Sequence, residues 1–135
     1  MTEDTENELT KALIEHLRGD AALKALLGDP ARIWDQPPEA PVYPHLTLGR
    51  MESRPYAGAD EATEHVLTLT CTSRFGGAEE AKAVVAAARA RLHGAEPAMD
   101  AGRVANLTVT YADVFRGADW RSVYGVLRLR VVTEA

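Results

Sequence analysis

Cysteine is almost missing from this chain: Cys71 is the only one in 135 residues. A lone thiol excludes an internal disulfide framework and a Cys-rich zinc site. Long apolar runs are missing too, and none approaches the roughly 18 residues of a membrane span. The opening stretch MTEDTENELT is acidic, where a secretory signal begins basic and turns apolar. An excess of positive charge is also lacking. Lys and Arg number 15 against 20 Asp and Glu, a net charge of −5, which argues against a general nucleic-acid binder, whose domain is normally basic. No internal repeat or low-complexity tract is present. What remains is ordinary: 46% hydrophobic and 26% charged residues, enough chain for one domain that buries roughly two thirds of its unfolded surface without a staple. The expectation is a single soluble domain over residues 1–135, intracellular or carried on a particle, with residues 1–8 as a frayed end.

Enzymatic signatures are missing as well. There is no Gly-x-x-x-x-Gly-Lys-Ser/Thr loop, no Gly-x-Gly-x-x-Gly between strand and helix, and no Gly-x-Ser-x-Gly. Gly76-Gly77 stands at a strand-to-helix junction, where a phosphate could bind, but Glu79 and Glu80 follow at once and repel an anion. The four histidines, His16, His45, His65 and His93, are scattered without His-x-x-x-His spacing. His65 and Cys71 share a face of one expected strand but lie three pleats apart, roughly 20 Å, too far for a dyad. Cys71 reads as a core thiol. No catalytic residue, cofactor site or metal site is expected.

Periodicity supplies the elements. Leu9, Ala12, Leu13 and Leu17 recur at helical spacing, and Gly19 breaks the helix. Asp20 caps a short second helix with Leu23, Leu26 and Leu27, ended by Gly28. Arg32-Ile33-Trp34 reads as a short strand. Four prolines between Gln36 and Pro44 make an extended loop, in which a cis X-Pro bond is possible. His45–Gly49 and Val66–Thr72 alternate as strands, the latter with Leu67, Leu69 and Cys71 on one face and three threonines on the other. Residues 53–63 between them read as a mobile loop. Ala78–His93 is an alanine-rich helix with acids in its first turn and bases in its last; Gly94 suits its C-cap. Two strands close the chain: Val104–Phe115, with Leu107, Val109 and Tyr111 on one face, and Ser122–Thr133, with Leu127, Leu129 and Val131 opposite Arg128 and Arg130. The turn Arg116–Trp120 makes them a hairpin. The fold class is α+β: N-terminal helices and one alanine-rich helix packed on a largely antiparallel four- to five-stranded sheet.

Charge is split along the chain. Residues 1–20 hold six acids against two bases, and residues 101–135 hold five arginines against three acids. Either Arg128 and Arg130 face water, or an acidic patch of one copy meets a basic face of the next. Tyr56 and Trp120 fall in turn-like segments, where an aromatic serves core anchoring or an interface. The candidate interface residues are Arg54, Tyr56, Asp60, Glu61, Trp120, Arg128 and Arg130; Asp60-Glu61, with no partner in view, reads as a solvated loop tip and not as a general acid/base pair.

The ordered set of segments resembles a known family. Its carriers are Asp20-Ala-Ala-Leu-Lys-Ala-Leu-Leu-Gly28, Arg32-Ile33-Trp34-Asp35 before the proline-rich loop, Pro44-His45-Leu46-Thr47-Leu48-Gly49, and Thr72-Ser73-Arg74-Phe75-Gly76-Gly77 leading into Glu79-Glu80-Ala81-Lys82 and a helix ending Leu92-His93-Gly94. From about Leu9 onward the chain is similar to the small tail-completion or tail-terminator proteins of tailed phages and phage-like gene transfer agents. The resemblance implies a virion structural protein, assembled in the bacterial cytoplasm. It forms a ring, usually of six copies, at the head-proximal end of the tail tube. There it stops tube polymerisation and meets a head-side connector or stopper protein. DNA passes such a ring without sequence-specific binding. It carries no catalytic residues. Two contacts of about 800 Å² per copy fit a surface of roughly 7,000 Å². The loop from Ser53 to Thr63 is expected to reach toward the tube or a neighbour and to order on assembly. The alternatives are another head–tail joint component and, from a different class, a small cytosolic enzyme or ligand-binding domain with a site built from scattered residues.

Overall fold

The leucines at helical spacing form α1 (Thr5–Arg18), whose Leu9, Ala12, Leu13 and Leu17 are all buried. In the computed structural model, which describes residues 5–58, 61–75 and 77–135, α1 begins inside the segment read as a frayed end. Asp20 caps α2 (Ala21–Leu27): its Oδ2 accepts the Leu23 N–H at 3.0 Å. At Gly28, φ is +88° and the N–H donates to the Lys24 carbonyl, a left-handed step that glycine takes without steric cost. After β1 (Ile33–Trp34) come β2 (His45–Pro55), β3 (Ala62–Ser73), α3 (Gly77–Leu92), β4 (Arg103–Arg116) and β5 (Val123–Glu134). The Tyr43-Pro44 bond in the proline-rich loop is cis.

The five strands form one sheet in the order β1-β2-β3-β5-β4. Only β1 and β2 run parallel; the other neighbours are antiparallel. Helix α3 carries the chain from β3 to the far edge, and the hairpin returns β5 into the gap. The fold is therefore α+β with a mixed, mostly antiparallel sheet, as its residue pattern indicates. The helical stripes and one face of the strands share a single apolar cluster, which includes Leu13, Leu17, Ile33, Leu69, Ala88, Leu107 and Leu129. That inner face is the core. Ala81 and Ala88 of α3 are fully buried, and a methyl group at Gly125 on β5 would sit 2.5 Å from Val85 Cγ2. Small residues on both sides let helix and sheet approach closely. Cys71 is fully buried here, and burial pushes its thiol up to about 12. Near their C-termini α1 and α3 bond each other: Arg91 Nε donates to the His16 carbonyl at 2.9 Å, and His16 Nε2 lies 3.0 Å from the Arg91 carbonyl. Each side chain thus satisfies a carbonyl that a helix end leaves open.

Two expectations need correction. Residues 53–63 are not one long loop. Strand β2 runs through Pro55 and β3 starts at Ala62, pairing Ser53 with His65, Arg54 with Glu64 and Pro55 with Thr63. Ser53 on the helix side bonds Glu6 and His65 while Arg54 on the outer side bonds Glu64, so neither face shows the apolar alternation that marks a strand. Tyr111 does not share the face of Leu107 and Val109. A register shift between Val109 and Tyr111 pairs Tyr111 with Arg128 and turns it outward, because a β-bulge inserts one residue and displaces the rest of the strand by one position. Among the described residues, no helix is long and apolar enough to cross a membrane.

Candidate functional site

The sheet face away from the helices, and the two ends of the sheet, carry the polar and aromatic side chains not needed for the core. On the outer face Arg54 of β2, Glu64 of β3 and Arg130 of β5 converge. Arg54 Nε donates to Glu64 Oε1 at 2.7 Å, and Arg130 Nε donates to Oε2 at 2.5 Å. Hydrogen bonds from Arg54 and then Arg130 hold the Glu64 carboxyl below the usual range, and the Glu64 bond raises Arg130 in turn. The Arg130 guanidinium lies over the Tyr56 ring, 5.6 Å from its centroid. Next along the face Arg128 lies over Tyr111 at 4.9 Å. Charge-assisted hydrogen bonds make the three-residue group a strand clamp. Both Glu64 oxygens already hold an arginine.

Beneath it runs a second network. Ser53 Oγ lies 2.7 Å from His65 Nδ1 and 2.7 Å from Glu6 Oε2, and His65 Nε2 lies 2.9 Å from Thr133 Oγ1. The distance between Ser53 and His65 is that of a nucleophile and its base, but the proton order is wrong. Ser53 donates to the Glu6 carboxylate, so His65 Nδ1–H must donate to Ser53, and Nε2 accepts from Thr133. The imidazole nitrogen facing the serine therefore carries a proton and cannot take one. His65 is fully buried, and burial lowers its affinity for a second proton. The network ties α1 to β2, β3 and β5. Among the described residues no group of three or more His, Cys, Asp or Glu could hold a metal ion.

The end of the sheet where β4 turns into β5 is different. Trp120 is 76% exposed and Phe75, after β3, is 88% exposed. Trp120 has φ +60°, a conformation that bulky residues avoid. The turn is fixed from within: Asp119 Oδ1 accepts the Arg121 and Ser122 N–H groups at 3.0 Å, and Gly117 N–H donates to the Ser122 carbonyl at 2.7 Å. Those backbone donors, Ser122 first, hold the Asp119 carboxyl low. Arg74 lies over the Tyr43 ring at 5.0 Å, and Phe75 meets the same ring edge-on at 6.4 Å. Arg74, Arg116 and Arg121 join Phe75 and Trp120 around a shallow hollow. At the opposite end lies a cleft of about 240 Å³ rimmed by Glu61 and Glu134, with Met99, Ala101, Gly102 and Thr133 in its lining.

These features are surfaces and clamps rather than a reaction centre, and the sequence comparison agrees. A model of the tail completion protein gp17 family matches residues 11–134. The chain belongs to that family. A tail completion protein is a structural component, which agrees with the expectation that the chain is not an enzyme. No curated protein matches it in sequence. Among solved structures, a chain in a structure titled "Virion of native gene transfer agent (GTA) particle" superposes with a TM-score of 0.87 at 24% identity, covering 99% of this chain and 100% of that one. At that identity the likeness shows the fold.

Within this tail completion fold the expected interface residues separate. Arg54, Tyr56 and Arg130 come together around Glu64, with Arg128 beside them on Tyr111. Glu61, with φ +59°, stands at the far cleft. Trp120 stands alone at the other end, and Asp60 lies outside the described residues. Sequence reasoning missed Glu64, Phe75, Arg74, Arg116 and Arg121 as members of these groups. Glu64 was findable: the threonine face of β3, followed back from Thr72 by twos, reaches it.

Proposed function

We propose that the chain is a tail terminator of a phage-like or gene transfer agent particle. About six copies close into a ring on the head-proximal end of the tail tube, stop its polymerisation and offer a surface to the head-side connector or stopper. The observation that carries this reading is the family match over residues 11–134; the full-length superposition on a chain of a gene transfer agent virion supports it. A ring needs heterologous contacts that close by rotation, and two distinct ends on one subunit suit that need. DNA passing the ring meets backbone-level electrostatics and no base-reading element. Deleting the gene in the producing cell and imaging the particles tests the reading. Tails of irregular, excess length without heads are expected. Tails of normal length that merely fail to join heads would overturn it in favour of a connector or stopper role.

A further inference from the structure

The two ends of the sheet are chemically complementary. They are set by β3 and β5, which pair from Ala62↔Glu134 at one end to Ser73↔Val123 at the other, a separation of about 35 Å at strand rise. Around the hollow at the turn end three arginines line the surface and no acid does. Around the cleft at the other end Glu61 and Glu134 are the charged residues among the described lining, with Met99 and Ala101 beside them; Glu134 also pairs with Arg103 of its own subunit at 2.9 Å. Of the acids near the turn, Asp119 binds its own turn and pairs with Arg74 at 3.7 Å, and Glu80 accepts from Ser73 Oγ at 2.6 Å, so Arg116 and Arg121 carry the positive charge that the hollow presents. Glu79 remains on the first turn of α3, exposed.

The exposed indole at the turn end is not explained within one subunit. Trp120 is held in a strained backbone conformation and still faces water, and an observed outlier of this kind points to a use. Exposed Trp and Arg are the residue types that dominate interface energies. We propose that Trp120 and the flanking Arg116 and Arg121 of one copy seat in the Glu61–Glu134 cleft of a second copy, head to tail. The indole covers the Met99–Ala101 floor while the guanidinium groups meet Glu61 and share Glu134 with Arg103. The inference rests on the ring reading and names its contact. Because one chain presents both halves, each copy is a donor and an acceptor. Six spans of this length give a ring about 65 Å across at its mid-line.

The test uses assembled particles from cells producing Ala118→Cys, Ala101→Cys or the double variant, treated with a short bismaleimide. Cys71 is a silent background, being fully buried. Neither single variant should link to itself, and the double variant should give a ladder of covalent multimers. Self-linking of Ala118→Cys, or no ladder in particles whose tails are normally capped, overturns the inference while leaving the ring intact. Lysine-directed cross-linking of wild-type particles that yields no homomultimer at the tail end overturns the ring itself. If the double variant fails to assemble, charge exchange decides. Arg116→Glu with Arg121→Glu should cut incorporation into particles at least tenfold, and adding Glu61→Arg with Glu134→Arg should restore it. Unchanged incorporation of the first pair, or no recovery in the folded fourfold variant, overturns the contact.

Discussion

The two faces of the sheet obey different rules. On the inner face Leu67, Leu69, Leu127 and Leu129 sit beneath the helical layer with essentially no exposure, and at Gly125 there is no room for one more methyl group. On the outer face no helix covers Thr68, Thr70 or Arg128; Val66, Tyr111 and Phe115 are each more than 40% exposed. There the strands are held by groups such as Arg54–Glu64–Arg130, in which the carboxylate is nearly covered and Arg54 reaches into water. Burial therefore determines stability on one side, and what the surface offers to another molecule matters on the other.

Mutations can break or sharpen this contrast. The largest effect is expected inside. Leu129→Ala should lower the unfolding free energy by about 2–5 kcal/mol, measured by denaturant titration; a loss no larger than that of an outer-face change would erase the distinction. Gly125→Val pushes a branched side chain against Val85 and the α3 backbone and should cost about 1–3 kcal/mol, read as a lower melting temperature with an unchanged circular dichroism spectrum.

A smaller effect comes with pH. Burial lowers the pKa of both His45 and His65 from the ordinary 6.5. The unfolded chain then binds protons that the folded chain refuses, so stability is complete above about pH 6.5 and falls as pH drops below it. The carboxyls of Glu64 and Asp119, held low in the fold, begin to contribute losses only below their ordinary values of 4.5 and 3.8. His65→Gln should flatten the slope between pH 5 and 6.5 in denaturation midpoints, and an unaltered slope would remove His65 from the account. On the outer face Glu64→Gln should destabilise less than either inner-face change, with an effect that shrinks in high salt; salt-independence would mean that the clamp acts by packing. Last, Trp120→Gly should leave stability within about 1 kcal/mol of wild type, because glycine relieves the positive φ while loosening the unfolded chain. A large loss would show that the indole supports its own subunit.

The same contrast explains what could be read in the sequence. Leu9, Leu13 and Leu17, or Leu127, Leu129 and Val131, repeat at the period of their element because one side of that element is dry. Asp20 and Gly28 are local signals, complete within a few residues. Polar stretches have no such period. Ser53, Arg54 and Pro55 look like loop because nothing apolar marks their alternation on either face, and Tyr111 is turned outward by a bulge that no composition announces. The turn-end group unites Arg74 and Phe75 with Trp120 and Arg121 across more than forty positions, a proximity created by strand order alone. Strand order is the one element that periodicity leaves open.

That bulge in β4 has a consequence of its own. Val109 pairs with Leu129 and Tyr111 with Arg128, so Thr110 is skipped in the ladder. The strand is thereby divided into two segments under different constraints. Upstream, Leu107 and Val109 answer to the interior. Downstream, Tyr111 and Phe115 face away from the interior, and only Val114 still packs against the core from that half. A lineage adapting to a different neighbour could rewrite the outward residues of that half and leave the inward ones untouched.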